Sequence, residues 1–433
     1  MYRISCRALI GLFLLVGCIH VMPAAGAVGN EEDDYRNLEI FTDVLSLVRS
    51  SYVEEVDTNE LIYGAIRGML ATLDPHSSFL SPEMYEDMQA ETHGEFGGLG
   101  VEITVKDRSL IVVTPIEGTP AYHAGVKAGD QIIMINDQPT QDMEIMEAVR
   151  LMRGPKGEPI KIMVQRPGVS EPISFTIVRD IIQLQTVKSE LLENHYGYVR
   201  VSQFQDRTGQ DLRDHLERLG QQISDPLQGV VLDLRNNPGG LLDQAVEVAD
   251  IFLKDGLIVY TEGREAEARQ KFYSKTEGTE PDYPLVVLIN GGSASAAEIV
   301  AGALQDHHRA VILGEKSFGK GSVQTIIPLD DRSGLRLTTA RYFTPSGRSI
   351  QARGITPDIR VPAMIMPEEG TAETQLREAD LQNHFQPAGP AENDRNAETV
   401  QEGDATGRDY QLQRALELLK GFGIFSSLIH KAA

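Results

Sequence analysis

A chain of 433 residues, 41% hydrophobic and 24% charged, is long enough to bury a sizeable core, with length suggesting about two to four domains. A formal net charge of −23 without a clustered basic face excludes a nucleic-acid binder. The only cysteines, Cys6 and Cys18, precede Val28, so the remaining chain excludes cysteine proteases, thiol redox enzymes and cysteine-rich zinc modules.

Residues 1–27 read as a signal peptide or N-terminal anchor. Arg3 and Arg7 flank a basic start, Ala8 to Gly17 are apolar, and Ala25-Gly26-Ala27 offers cleavage before Val28. Leu15-Val16-Gly17-Cys18 also has the pattern of a bacterial lipoprotein signal, which would lipidate Cys18. Both readings imply export. From 31 to 92 a helical subdomain is expected. Leu38, Phe41, Val44, Leu45 and Val48 recur at helical spacing, and a second helix is predicted over Thr58–Thr72. Ser81-Pro82-Glu83 reads as N-cap, first-turn proline and early acid of a third. The set suits packing or dimerisation.

Between 93 and 182 the pattern turns to short strands and glycine turns, with one helical stretch at Met143–Arg153. Gly97-Gly98-Leu99-Gly100-Val101, then Gly125 to Asp130, resemble a PDZ domain. Gly98, Leu99, Gly100 and Val101 would form its carboxylate-binding loop, and a peptide C-terminus would add as an edge strand. From 183 to 363 strands and helices alternate. Strands are predicted at Tyr196–Phe204, Gly229–Arg235, Leu257–Thr261, 284–290 and Ala310–Gly314. Helices are predicted at Gly209–Gln221, Leu241–Phe252 and 295–306. Continuous apolar strands between helices imply a largely parallel sheet, with ligands beyond the strand C-termini. An acidic Pro/Gly/Glu-rich linker spans 364–409; residues 368–409 hold 11 acids and 3 bases, net −8. A C-terminal helical segment, 410–433, carries Leu412, Leu416 and Leu419 on one face.

Three turns follow predicted strands. Leu234 to Gly240 ("LRNNPGG") is either a structural turn or a place where backbone N–H groups face a ligand oxygen. Asn290 to Ile299 ("NGGSASAAEI") puts two serines before a helix. Gly314 to Gln324 ("GEKSFGKGSVQ") carries Lys316 and Lys320 and fails as a nucleotide loop, because Gly321 stands where a Ser or Thr is required. No histidine sits in a motif. His307 and His308 end the helix that Ser295 begins, about 15–18 Å away at 1.5 Å per residue, so a lysine is the attractive base.

Together with Asp74–Glu83 ("DPHSSFLSPE"), Gly334–Gln351 ("GLRLTTARYFTPSGRSIQ") and Gly354–Asp358 ("GITPD"), these segments resemble the carboxyl-terminal processing (tail-specific) proteases of serine peptidase family S41. The resemblance runs from about Tyr35 to Val361. It implies an α/β fold: a helical subdomain, an inserted PDZ domain and a protease core of ClpP/crotonase-like character. It places the nucleophile on Ser295, the general base on Lys320 and the residue orienting that lysine on Gln324. The oxyanion hole would use Ala296 with Gly239 or Gly240, and Arg153 would couple the PDZ domain to the site. The implied substrates are exported proteins cut near their C-termini, in the periplasm or cell envelope. Other implied partners are an adaptor lipoprotein and further copies, as a dimer or larger ring; no metal or cofactor is implied. The rivals are a non-catalytic PDZ adaptor and an α/β-hydrolase esterase. The second expects Gly-x-Ser-x-Gly, whereas Ala296 and Ala297 follow Ser295.

Overall fold

Val230, Val231 and Leu232, then Leu285 to Ile289, are buried on both faces, as strands at the centre of a covered sheet must be. The computed structural model that places them describes residues 31–106, 108–265, 269–275, 280–363 and 409–432. Residues 1–27, read as a targeting segment, and 364–408 of the acidic stretch lie outside these. Two compact units divide between Thr72 and Leu73.

The first unit contains α1 (Glu31–Ser51) and α2 (Thr58–Ala71). Asp57 caps α2 by accepting the N–H groups of Asn59 at 2.6 Å and Glu60 at 3.2 Å. Tyr35, Leu38, Phe41, Val44 and Leu47 of α1 are exposed.

The second unit opens with β1 (Ser78–Leu80) and α3 (Pro82–His93), the helix expected from Ser81-Pro82-Glu83. Next come β2 (Glu95–Gly98), β3 (Val101–Lys106), β4 (Ser109–Pro115), α4 (Pro120–Ala124), β5 (Gln131–Ile135), β6 (Gln138–Pro139), α5 (Ile145–Met152), β7 (Pro159–Gln165), β8 (Ile173–Val178) and β9 (Asp180–Gln183). Strands β3-β4-β5-β7-β8 form an antiparallel sheet around Leu99, Leu110, Ile132, Ile135, Ala148, Ile160, Ile162 and Val164. Strand β2 pairs with β9, so the chain's entry to this module and its exit are hydrogen-bonded to each other.

The remainder runs β10 (Val187–Leu192), β11 (Tyr196–Val201), α6 (Thr208–Gln221), β12 (Gly229–Asp233), α7 (Leu242–Phe252), β13 (Leu257–Gly263), β14 (Gln270–Tyr273), β15 (Leu285–Ile289), α8 (Ala296–Asp306), β16 (Val311–Gly314), β17 (Ser322–Pro328), β18 (Gly334–Phe343), β19 (Ile359–Arg360) and α9 (Tyr410–Ala432). The sheet order is β10-β11-β12-β15-β16-β19, and every pair except β10–β11 is parallel. Side chains alternate across it. Val230, Leu232, Val287 and Ile289 meet residues of α6, α7 and α8, while Val231, Val286 and Leu288 meet Ala415 and Leu419 of α9. That two-sided cover explains why these strands are apolar throughout.

Strand β13 departs from the expected parallel sheet. It joins a second sheet, β1-β18-β13-β14 with β17 on β18, whose pairings are antiparallel. The turn before β1 is fixed by Asp74, which accepts the N–H groups of His76 at 2.8 Å and Ser77 at 2.9 Å and the Thr338 hydroxyl at 3.1 Å.

Candidate active site

The turns after β12, β15 and β16 meet at the C-terminal edge of the parallel sheet, where open α/β sheets place their ligands. Ser293, fully buried, fastens two of them. Its hydroxyl donates to Leu234 O at 2.7 Å and accepts the Asn290 N–H at 3.0 Å, a structural role. The Ala294 N–H donates to Asn237 O at 2.9 Å.

Ser295 is the N-cap of α8 and adopts φ 53°, ψ −115°. A non-glycine residue there costs about 1–3 kcal/mol and is held only by its surroundings. Strain of this kind also marks the strand-to-helix elbow of the Gly-x-Ser-x-Gly pattern, which this turn lacks. Gly239 explains part of the fit: a Cβ on it would lie 2.7 Å from Ser295 Cβ and 3.0 Å from Ala296 N. Its φ of +105° also favours glycine.

The three expected oxyanion donors differ. Gly239 N–H is already bound to Asn237 Oδ1 at 2.9 Å. The N–H groups of Ala296 and Gly240 have no acceptor among the described residues. Phe204 N–H donates to Gly239 O, and Leu241 N–H to Phe204 O, which turns the Gly240 N–H away from Phe204.

The two lysines of the third turn separate by exposure. Lys316 is exposed, whereas Lys320 is half-buried and its amine has no acceptor among the described residues. Burial, with repulsion from Arg336, lowers the Lys320 pKa from the usual lysine value. Gln324 does not meet Lys320. Its amide donates to Ser322 Oγ at 2.6 Å and Ser322 O at 3.2 Å.

Glu298 of α8 lies beneath both turns, fully buried. Its Oε2 accepts the N–H of Ser295 at 2.9 Å and of Lys320 at 2.8 Å. Its Oε1 accepts the Ser317 hydroxyl at 2.5 Å and the Gly319 N–H at 2.7 Å. Sequence reasoning gave this residue no role, although Ser295-x-x-Glu298 has capping-box spacing.

In the inserted module, Leu99 and Gly100 link β2 to β3, and their N–H groups have no acceptor among the described residues. Strand β3 pairs only with β4, leaving an edge. Arg153 donates to Asp87 of α3 at 2.7 Å and stacks 4.8 Å over Phe96.

Peptidase family S41 matches residues 195–361, a PDZ domain matches 111–166, and the N-terminal domain of the activating protease CtpB matches 21–84. A carboxy-terminal-processing protease of Bartonella bacilliformis is 46% identical over 413 residues, 95% of this chain and 94% of the relative. The chain belongs to peptidase family S41. This S41 chain is a serine-type peptidase carrying a PDZ domain, with a mixed α/β fold. A carboxyl-terminal-processing protease of Synechocystis is 40% identical over 320 residues, 72% of this S41 chain and 74% of the relative. A photosystem II D1 C-terminal processing protease of known structure is 30% identical, with a TM-score of 0.45, covering 76% of this chain and 94% of that one. Among the described residues no cluster suited to a metal ion occurs.

Proposed function

We propose that the chain cleaves exported proteins near their C-termini with a Ser295–Lys320 dyad. The observation that carries this reading is a serine at the strained start of α8 beside a turn that bears a desolvated lysine. Neutral Lys320 takes the Ser295 proton as Oγ attacks the scissile carbonyl carbon. The resulting oxyanion accepts N–H groups from Ala296 and Gly240, a donor being worth about 3 kcal/mol in such sites. Lysine then passes its proton to the departing amine, and water, deprotonated by the same lysine, releases the acyl group.

The edge of β3 and the loop Gly98-Leu99-Gly100-Val101 would hold the substrate's C-terminal tail by strand addition. Arg153, bonded to α3, supports a PDZ domain that gates activity. Gln324 would orient Lys320 only after leaving Ser322, a rearrangement that fits a gated enzyme. Domain limits of 93–182 for the PDZ domain and 183–363 for the core suit this division. The exposed apolar face of α1 supports assembly into a dimer or larger ring. Export to the periplasm or envelope rests on residues 1–27, and an adaptor lipoprotein belongs to the same reading.

Ser295→Ala and Lys320→Ala are each expected to abolish cleavage of an unfolded protein with an apolar C-terminus. Both variants should retain the wild-type circular dichroism spectrum. Turnover at the wild-type rate in either sinks the dyad.

A further inference from the structure

We propose that Glu298 is a positioning residue for the peptidase reaction, its carboxylate fixing the nucleophile turn and the lysine loop against each other. The inference rests on the Ser295–Lys320 reading. One oxygen, Oε2, accepts the backbone N–H of the nucleophile at 2.9 Å and of the base at 2.8 Å. The other accepts from Ser317 and Gly319, two more residues of the lysine loop. Ser317 in turn accepts the Ile355 N–H at 2.6 Å, so the Gly354–Asp358 segment backs the same loop.

A carboxylate has about four lone-pair sites, and here all four face donors. Burial raises the Glu298 pKa, and the bonds from Ser317, Gly319, Ser295 and Lys320 oppose that rise. A proton on either oxygen would displace a donor. An amide is a poor substitute for the same reason: its NH2 group would face N–H groups or a hydroxyl already committed as donors.

The turn at Ser295 also needs a restraint, because its φ of 53° is unfavourable for serine. Glu298 supplies one from within α8 and applies it equally to Lys320. Among the described residues the carboxylate bonds neither Ser295 Oγ nor Lys320 Nζ; it acts through the two backbones. Nucleophile and base come from separate turns, and placement errors near 1 Å in such pairs cost about 10²-fold in rate.

The test compares wild type with Glu298→Gln and Ser317→Ala. For each, kcat and KM are measured on a peptide substrate, with the pH dependence of kcat/KM and thermal melting. Glu298→Gln is expected to fold, to keep KM within about twofold and to lose about 10²-fold in kcat. Its acid limb should move to higher pH as Lys320 loses its buried position. A merely structural role would lower the melting temperature and leave the limb of the folded enzyme in place. Wild-type kcat and an unmoved limb in folded Glu298→Gln overturn the proposal. If that variant does not fold, Ser317→Ala decides. A kcat loss of about tenfold at constant KM supports positioning, and wild-type kcat overturns it. Ser295→Ala separates the two readings. An active Ser295→Ala removes the dyad itself, whereas an inactive one beside a fully active Glu298→Gln removes only this role.

Discussion

Lys320 can accept a proton only when neutral, and a solvated lysine is charged throughout the physiological range. Burial is the larger cause of its lowered pKa and Arg336 the smaller. As the base proposed above, Lys320 would make kcat/KM rise with pH as its ammonium loses the proton, with a midpoint below that of free lysine. Arg336→Gln removes the like charge while burial stays, so the acid limb is expected to move to higher pH and activity at neutral pH to fall. A pH–rate profile checks both, and a limb that moves the other way contradicts the assignment of Lys320 as base. The same comparison explains the choice between two lysines four residues apart. Lys316 is exposed, whereas Lys320 is half-buried.

Among the elements, α9 owes its place to a charge cluster as much as to Ala415 and Leu419. Arg235, just after β12, bonds Asp233 at 2.6 Å, Asp409 at 2.6 Å and Gln411 at 3.0 Å. Arg235→Met leaves buried Asp233 with the Tyr198 hydroxyl, Arg200 and the backbone N–H of position 235, and releases the start of α9. The expected loss is about 3 kcal/mol, the low end for breaking a buried pair, read from urea denaturation. Asp409→Asn should cost less, since Asp409 is half-exposed. Element types were legible because burial imposes period: the predicted strand 229–235 is β12, Gly229–Asp233, and the predicted helix 295–306 is α8 with Ser295 as its cap. Partners were less so. Nothing in the apolar run Leu257–Thr261 says that β13 leaves the parallel sheet. Gln324 was expected from the resemblance alone; the register of β17 on β18 shifts between Val323 and Gln324, and its amide bonds Ser322. Such irregularities re-aim side chains in ways spacing cannot express. Motif order singles out Ser295 and Lys320, and capping-box spacing carries the Ser295 bond to Glu298; the three bonds Glu298 takes from the lysine loop are tertiary and have no such signal.

For the whole molecule, the division between Thr72 and Leu73 separates the exposed face of α1 from the catalytic unit. A fragment from Leu73 onward is expected to melt within about 4 °C of the full chain, an effect of roughly 1–2 kcal/mol. It should also sediment as a smaller species, because α1 is gone. Analytical ultracentrifugation and a thermal melt test the two halves of that statement. A fragment that fails to fold would show the first unit to be required for the second.

The chain leaves the core at Val361, and Gln411 Nε2 returns to donate to Val361 O at 2.8 Å. That bond ties the end of the core to the start of α9 across 50 positions of sequence. An insertion or deletion between Ala363 and Asp409 removes none of the bonds that tie the start of α9 to Arg235 and Val361, so α9 is expected to keep its place whatever the number of residues between them.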